Sequence, residues 1–171
     1  SRYLGQWSDN EISGHGCHEW KDGRVYIGQW QRGIMHGYGR YTWPDGKRYE
    51  GQYYEDKKHG YGVYYWADGR VYRGYWRNGK QHGLGELQRP SQARADPSPT
   101  SKQELKTKYG LWQDGRRIKW LAIDKTKGLT EQLKATEELV IRELGCGPEE
   151  TTFFAFQSPA QFYENISRVI F

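Results

Sequence analysis

Aromatic residues and glycines recur at every second position in short stretches along residues 3–87. The rings and glycines of one pair of such stretches are Tyr26, Gly28, Trp30, Gly37, Gly39, Tyr41 and Trp43. In a β-strand, successive side chains lie on opposite faces, so residues two positions apart share a face. We therefore expect short strands, each with one face of tyrosine, tryptophan and glycine.

Three motifs recur with a common period of 23 residues. The first, Tyr-x-Gly-x-aromatic, is centred on Gly5, Gly28, Gly51 and Gly74. The second, a Gly-x-Gly pair, begins at Gly14, Gly37, Gly60 and Gly83. The third, Trp-x-Asp-Gly, begins at Trp20, Trp43 and Trp66. Three motifs with one period across four copies indicate a repeat architecture.

Turn dipeptides divide each copy into two strands. Asp-Gly and Asn-Gly favour tight hairpin turns because these turns need positive φ. Such dipeptides connect the copies at Asp22-Gly23, Asp45-Gly46 and Asp68-Gly69. Within copies two and four the predicted turns are Arg32-Gly33 and Asn78-Gly79, and copy three has the weaker Asp56-Lys57. Each copy is thus predicted to be a β-hairpin that neighbours the next copy in chain order.

One register of these hairpins gathers the rings on a single face, and burial of apolar surface favours that register. The sequence predicts a mainly β protein, a single-layer elongated antiparallel sheet followed by a short helical C-terminal tail. We name the ring-bearing side the aromatic face. Its predicted members are Tyr26, Trp30, Tyr41, Trp43, Tyr49, Tyr53, Tyr64, Trp66, Tyr72 and Trp76. These rings can pack repeat on repeat, line a groove for a partner segment, or do both.

The motifs resemble those of MORN repeats, whose pattern is similar to Tyr-Glu-Gly-x-Trp-x-x-Gly-x-x-His-Gly-x-Gly. The resemblance covers residues 3–87 and resumes in a degraded copy at 108–120, where Lys108 takes the tyrosine position. It implies elongated, groove-shaped sheets, as in junctophilins, plant phosphatidylinositol phosphate kinases, ciliary radial-spoke proteins and protist cortical scaffolds. It also implies assembly or anchoring in the cytoplasm, at cytoskeletal, ciliary or membrane-cortical structures.

The period breaks after the fourth copy. The next motif glycine is due at position 97 but appears as Gly110, and the intervening residues are rich in proline and small polar residues. Such a segment builds neither a strand ladder nor a core. We therefore expect four repeats over 1–87, a disordered insertion over 88–107, a partial fifth repeat over 108–120 and a helical segment over 121–171.

The tail loses the glycine-aromatic rhythm. Leu129, Leu133, Val140 and Leu144 recur near helical spacing, and Ser158-Pro159 is a typical start signal for a second helix through residue 170. Helices this short need an apolar surface for stability. We expect them to dock over the aromatic face near its C-terminal end, or alternatively to swap onto a second copy and form a homodimer.

The charge balance adds an alternative function. The net charge is +5 and the pI about 9.1, which suits an anionic partner surface. A peripheral membrane anchor would meet anionic phospholipid through basic edge residues, namely Arg32, Lys47, Arg48, Lys57 and Lys58. Nucleic acid is not expected as a partner, because acidic residues such as Glu50, Glu55 and Asp56 interrupt the basic ones.

Catalytic and metal-binding motifs are not found in the sequence. Cys17 and Cys146 form no CxxC pair, and no phosphate loop or nucleophile elbow occurs. His36, His59 and His82 would lie about 10 Å apart on successive hairpins, too far to share a zinc ion. We expect no enzyme activity, metal or cofactor. The leading hypothesis is a non-catalytic scaffold or adaptor whose aromatic groove binds a helical or extended segment of a partner protein.

Overall fold

The computed structural model describes residues 1–90 and 105–144, with the last eight of these given by backbone alone. The strands are β1 (Arg2–Ser8), β2 (Glu11–Glu19), β3 (Val25–Gln31), β4 (Ile34–Thr42), β5 (Arg48–Tyr54), β6 (Lys57–Tyr65), β7 (Val71–Arg77), β8 (Lys80–Pro90), β9 (Leu105–Gln113) and β10 (Arg116–Trp120). One helix, α1 (Leu129–Leu144), follows them in the described part.

The ten strands form one open antiparallel sheet in chain order. Glycines face one another across the strands of this sheet. Gly28 lies opposite both Gly16 and Gly39, and Gly51 lies opposite both Gly39 and Gly62. The same register continues into the degraded copy, where Gly110 lies opposite Gly85. The mainly β class and the meander of hairpins are confirmed.

Each turn within a copy has two residues with positive φ, whereas each turn between copies has one, its glycine. In copy two these are Arg32 (φ 48°) and Gly33 (φ 78°), as the turn type requires. In copy three they are Glu55 (φ 47°) and Asp56 (φ 64°), so the turn lies one residue earlier than the predicted Asp56-Lys57. The fixed 23-residue period places the turn, even where the local dipeptide is a poor turn former.

A bulge interrupts the alternation in every complete copy. In copy two the register shifts between Gly28 and Trp30, and Gly37 on the facing strand has φ 80°. The side-chain Oε1 of Gln29 accepts a 2.7 Å hydrogen bond from the Tyr38 amide, which the bulge would otherwise leave unpaired. Equivalent bonds join Gln6 to His15 and Gln52 to Tyr61.

The core of the sheet is a tyrosine that lies across a pair of facing glycines. The Tyr49 ring is fully buried over Gly51 and Gly62, and its hydroxyl donates a 2.9 Å hydrogen bond to the Gln52 carbonyl. A Cβ at Gly62 would overlap atoms of this ring. The arrangement recurs with Tyr3, Tyr26 and Tyr72. Glycine is therefore required here by close approach rather than by backbone conformation.

The insertion is shorter at both ends than the sequence suggests. The prediction of disorder over 88–107 is wrong for residues 88–90 and 105–107, because Gln88 pairs with Thr107 and Pro90 with Leu105. Pro90 is tolerated because it is the last residue of β8, where a missing amide donor interrupts no ladder. Residues 91–104 lie outside the described part of the chain.

The tail helix docks near the C-terminal end of the sheet, but not on the aromatic face. Leu133, only 5% exposed, packs with Leu84 and Leu111, whose side chains point to the opposite face from Leu87 and Trp112. The expected docking on the rings is thus wrong for α1, because the sheet offers a second apolar cluster closer to residues 121–128. The predicted second helix lies outside the described residues.

The tyrosine-glycine packing predicts that Gly62→Ala destabilises the protein by about 1–3 kcal/mol, the usual cost of overpacking a core. Chemical denaturation measures the change in unfolding free energy. Gly128→Ala is the control, because a Cβ there would meet no atom within 4 Å. An unchanged unfolding free energy for Gly62→Ala would show that the close approach has no energetic role.

The docking of α1 predicts that Leu133→Asp releases the helix while the sheet stays folded, because a carboxylate cannot remain buried against Leu84 and Leu111 without a partner. Amide exchange should then accelerate through α1 only. Ala135→Asp places the same charge on an exposed side of the helix and should leave exchange slow. Equal protection in both variants would contradict the contact.

Candidate binding face

The buried layer of the aromatic face is a continuous chain of edge-to-face rings, which we name the inner row. Each repeat tyrosine contacts one ring of its own copy and one of the next. Tyr26 meets Trp30 at 4.9 Å and Tyr53 at 5.3 Å between centroids, and Tyr49 meets Tyr53 at 5.2 Å and Trp76 at 5.4 Å. Tyr72 and Trp112 continue the row at its C-terminal end, whereas at its N-terminal end Tyr3 is only partly buried and Trp7 is 61% exposed. Such edge-to-face pairs add stability beyond area burial.

Indole N–H groups fasten neighbouring copies together. Trp30 Nε1 donates to the Gly16 carbonyl at 3.1 Å, and Trp76 Nε1 donates to the Gly62 carbonyl at 3.2 Å. Each bond runs from one copy to the copy before it. Buried indoles without such acceptors would be costly, so these bonds fix the register between copies.

A second line of rings, the outer row, crosses the same face nearer the turns that connect the copies. Its members are Trp20, Tyr41, Trp43, Tyr64 and Trp66. Consecutive rings are 5.4, 4.5, 5.9 and 4.8 Å apart, in that order. All except Tyr41 are partly exposed, so the outer row presents apolar surface to solvent.

The ten residues predicted for the aromatic face all join one cluster, but they divide between two roles. Seven are buried within the chain: Tyr26, Trp30, Tyr41, Tyr49, Tyr53, Tyr72 and Trp76. Trp43, Tyr64 and Trp66 keep accessible surface. Trp20 and Trp120 join the same cluster but were not among the predicted residues, although the Trp-x-Asp-Gly motif marks Trp20 as equivalent to Trp43 and Trp66.

Lys58 lies among the rings rather than at an edge. Its Nζ is 5.4–5.6 Å from the ring centroids of Trp43, Tyr49, Tyr64 and Trp76. Copy two has Met35 at this position. Burial, together with the nearby Lys47 charge, lowers the pKa of the Lys58 ammonium. The rings thus hold the Lys58 ammonium by cation–π interactions, and the attraction between cation and ring becomes stronger as water is excluded.

Of the other four predicted lipid-facing residues, Lys47 alone shares the aromatic face with Lys58, and its Nζ lies 6.0 Å from the Trp43 ring centroid. Arg32 and Lys57 are exposed near the hairpin turns, along one long edge of the sheet. Lys47 and Arg48 lie near the opposite edge, and carboxylates pair with both: Asp45 at 2.9 Å and Glu50 at 3.0 Å.

A comparison with known families agrees with this geometry. The sequence profile of the family described as MORN repeat matches residues 3–23, 26–48, 49–69 and 72–94, together more than half of the chain. The chain belongs to the MORN-repeat family. A comparison with curated proteins finds no match. MORN repeats are generally associated with protein or membrane binding, and the family is a binding module rather than a known enzyme family.

The three histidines of the MORN motif line one cleft of about 260 Å³ with Tyr54 and Arg77. His36 and His59 contact Tyr54, with centroids 5.2 and 5.6 Å apart. His82 is buried, and its Nδ1 accepts a hydrogen bond from the Asp114 amide at 3.2 Å. Within residues 1–90 and 105–144, no group of histidine, cysteine and carboxylate side chains is placed to hold a metal ion. Nor is any described helix long and apolar enough to cross a membrane.

Alkaline titration tests the burial of the MORN tyrosines. Burial raises the pKa of Tyr26, Tyr49 and Tyr72 above the ordinary value of 10.0. Because the folded-state pKa exceeds the unfolded one, this contribution to stability is complete below pH 10 and is lost as pH rises toward the folded-state pKa. The unfolding free energy should therefore fall between about pH 9 and about pH 11.

Tyr49→Phe is the matched variant for this titration. It removes one ionising hydroxyl while keeping the ring, so its stability should depend less steeply on pH than that of the unaltered chain. As pH is raised, the tyrosinate absorbance of the folded protein should appear at a higher pH than that of the denatured chain. Superimposable titration curves for folded and denatured protein would contradict the buried arrangement.

Proposed function

We propose that this MORN array is a non-catalytic scaffold or adaptor whose aromatic face binds a helical or extended segment of a partner protein. The observation that carries the proposal is the partly exposed outer row on the face opposite α1. The family resemblance suggests cytoskeletal, ciliary or cortical assembly as its setting. The bound segment would lie along Trp20, Trp43, Tyr64 and Trp66.

The outer row is well suited to this role because its rings are already immobilised. Trp43 packs in tilted contacts between Tyr41 and Tyr64, and these rings also pack against the inner row. A partner that covers them loses little side-chain entropy, which is one reason why tryptophan and tyrosine are enriched in binding hot spots. Burying their remaining apolar area contributes roughly 25 cal/mol per Å² before association costs are subtracted.

Lys58 adds a chemical preference to the apolar surface. Its ammonium is held by rings, and none of the described carboxylates forms an ion pair with it. A partner carboxylate placed over Trp43 and Tyr64 would reach a charge in a partly dehydrated setting, where an ion pair is stronger than at an open surface. We therefore expect the bound segment to combine apolar residues with one aspartate or glutamate at the centre.

A membrane anchor has weaker support. The five basic residues considered for it are spread over two edges and the aromatic face, and two of them already pair with carboxylates. A flat anionic membrane would meet only some of them at once. The partly exposed rings of the outer row form a line, which fits a linear partner better.

The test is a displayed library of helical and extended peptides selected on the whole chain, followed by affinity measurement on variants. Trp43→Ala and Trp66→Ala should each weaken the selected peptides by at least about tenfold, the range of interface hot spots. Tyr54→Ala is the matched control, because Tyr54 is 50% exposed but points away from the aromatic face. It should leave affinity within about twofold.

The Lys58→Met variant distinguishes the contribution of the Lys58 charge to peptide affinity from that of the rings. Methionine occupies the equivalent position in copy two, so the variant is expected to fold. Peptides with a central carboxylate should lose affinity for it, whereas their amide counterparts should bind both proteins equally. Selected peptides that bind the Trp43→Ala, Trp66→Ala and Tyr54→Ala proteins alike would refute binding at the outer row.

A further inference from the structure

The C-terminal end of the aromatic face differs sharply from the rest, because cations replace its rings. Arg89 takes the position held in earlier copies by Trp20, Trp43 and Trp66, and Lys108 takes that of the repeat tyrosine. With Lys106 and Arg117 they line a cleft of about 360 Å³ that Trp120 bounds. None of the lining residues that the structure describes is a carboxylate.

The strand register brings these cations together on one side of the sheet. Arg89 lies directly opposite Lys106, and Lys108 is the next residue of β9 on the same face. Arg117, opposite Trp112, extends the group onto β10. Like charges directly opposite one another destabilise a sheet. The fold therefore holds a repulsive arrangement that a bound anion would relieve.

Carboxylates neutralise the corresponding basic residues of the earlier copies. Arg24 pairs with Asp22 at 2.7 Å, Lys47 with Asp45 at 2.9 Å and Arg70 with Asp68 at 2.8 Å. Lys106 is the equivalent residue in the fifth copy. In the part of the chain that the structure describes, no carboxylate lies within ion-pair distance of Arg89, Lys106, Lys108 or Arg117.

Trp120 gives the cleft a rigid wall. The Arg117 guanidinium lies 4.3 Å from the Trp120 ring centroid, and Lys108 Nζ lies 5.2 Å from it. Stacking on the indole orients the guanidinium while leaving its N–H donors free to bind an anion. Two arginine forks and two lysine ammonium groups thus line one cleft of about 360 Å³.

We infer that this cleft binds a phosphomonoester or pyrophosphate group with at least two negative charges. Arginine forks match phosphate oxygens in pairs, and lysines add point charges, so both residue types are suited to this ligand. The group can belong to a soluble molecule or to a lipid headgroup. The site uses none of the four outer-row residues assigned to the partner protein, so it stands independently of the proposed function.

The experiment has a soluble arm and a lipid arm, both with the whole chain. Calorimetric titration with inorganic pyrophosphate should show binding that weakens as salt is raised. Flotation with phosphatidylcholine vesicles containing phosphatidic acid, compared with vesicles containing phosphatidylserine at matched charge, tests the headgroup. Binding of pyrophosphate alone assigns a soluble ligand, and additional preference for phosphatidic acid assigns a lipid headgroup. Both results support the site.

Charge-removing variants locate the binding. Lys108→Gln and Arg117→Gln should each weaken pyrophosphate binding by about tenfold, the effect of one charge-assisted contact. Lys119→Gln removes the same charge from the same strand, but on the opposite face beside Leu111, and should change affinity by less than about twofold. No pyrophosphate binding, or an equal loss in Lys119→Gln, would overturn the assignment.

Thermal unfolding without ligand provides a second readout. Arg89→Gln and Lys106→Gln should leave the melting temperature unchanged or raise it, because each removes the repulsion between directly opposed charges. A substantial drop in melting temperature for both would mean that the cations support the fold rather than a ligand, and would contradict the inference.

Discussion

The structure depends on the close approach of a tyrosine ring to a pair of facing glycines. Tyr49 can lie across Gly51 and Gly62 only because neither glycine has a Cβ, and its hydroxyl then reaches the Gln52 carbonyl. This contact ties two strands of one copy together without a second layer of structure. Repeated at Tyr3, Tyr26 and Tyr72, it explains why glycines keep fixed positions after each repeat tyrosine, since any other residue there would place a side chain under the ring.

The same contact accounts for the surface available for function. Because the tyrosines lie flat, the ring edges of the next copy reach them and close the inner row, and the outer row rests beside it. Rings that would be mobile on an isolated hairpin are thereby held in place. The array presents a preformed apolar stripe with one embedded ammonium, Lys58, and ends in a cationic cleft around Trp120.

Much of the fold follows from the sequence because it is encoded locally and repeated. The turn dipeptides, the period-two alternation and the position of Gly110 each predict pairing that the structure contains. Long-range choices were not predictable in this way. Leu133 had two apolar surfaces available, and only the three-dimensional proximity of Leu84 and Leu111 decides between them. The bulge at Gly37 breaks the alternation through a positive φ, which a pattern of side-chain polarity does not report. The position of Lys58 among the rings was not predicted for a similar reason, because its charge alone favoured a position at an exposed edge of the sheet.

A double-mutant cycle between Tyr49 and Gly62 tests the central contact most directly. The unfolding free energies of Gly62→Ala, Tyr49→Ala and the double variant are compared with that of the unaltered chain. Because removal of the ring leaves space for the new methyl group, Gly62→Ala should cost little in the Tyr49→Ala background. The account predicts a coupling energy of about 1 kcal/mol or more, within the range for residues in contact. Additive effects of the two substitutions would contradict it.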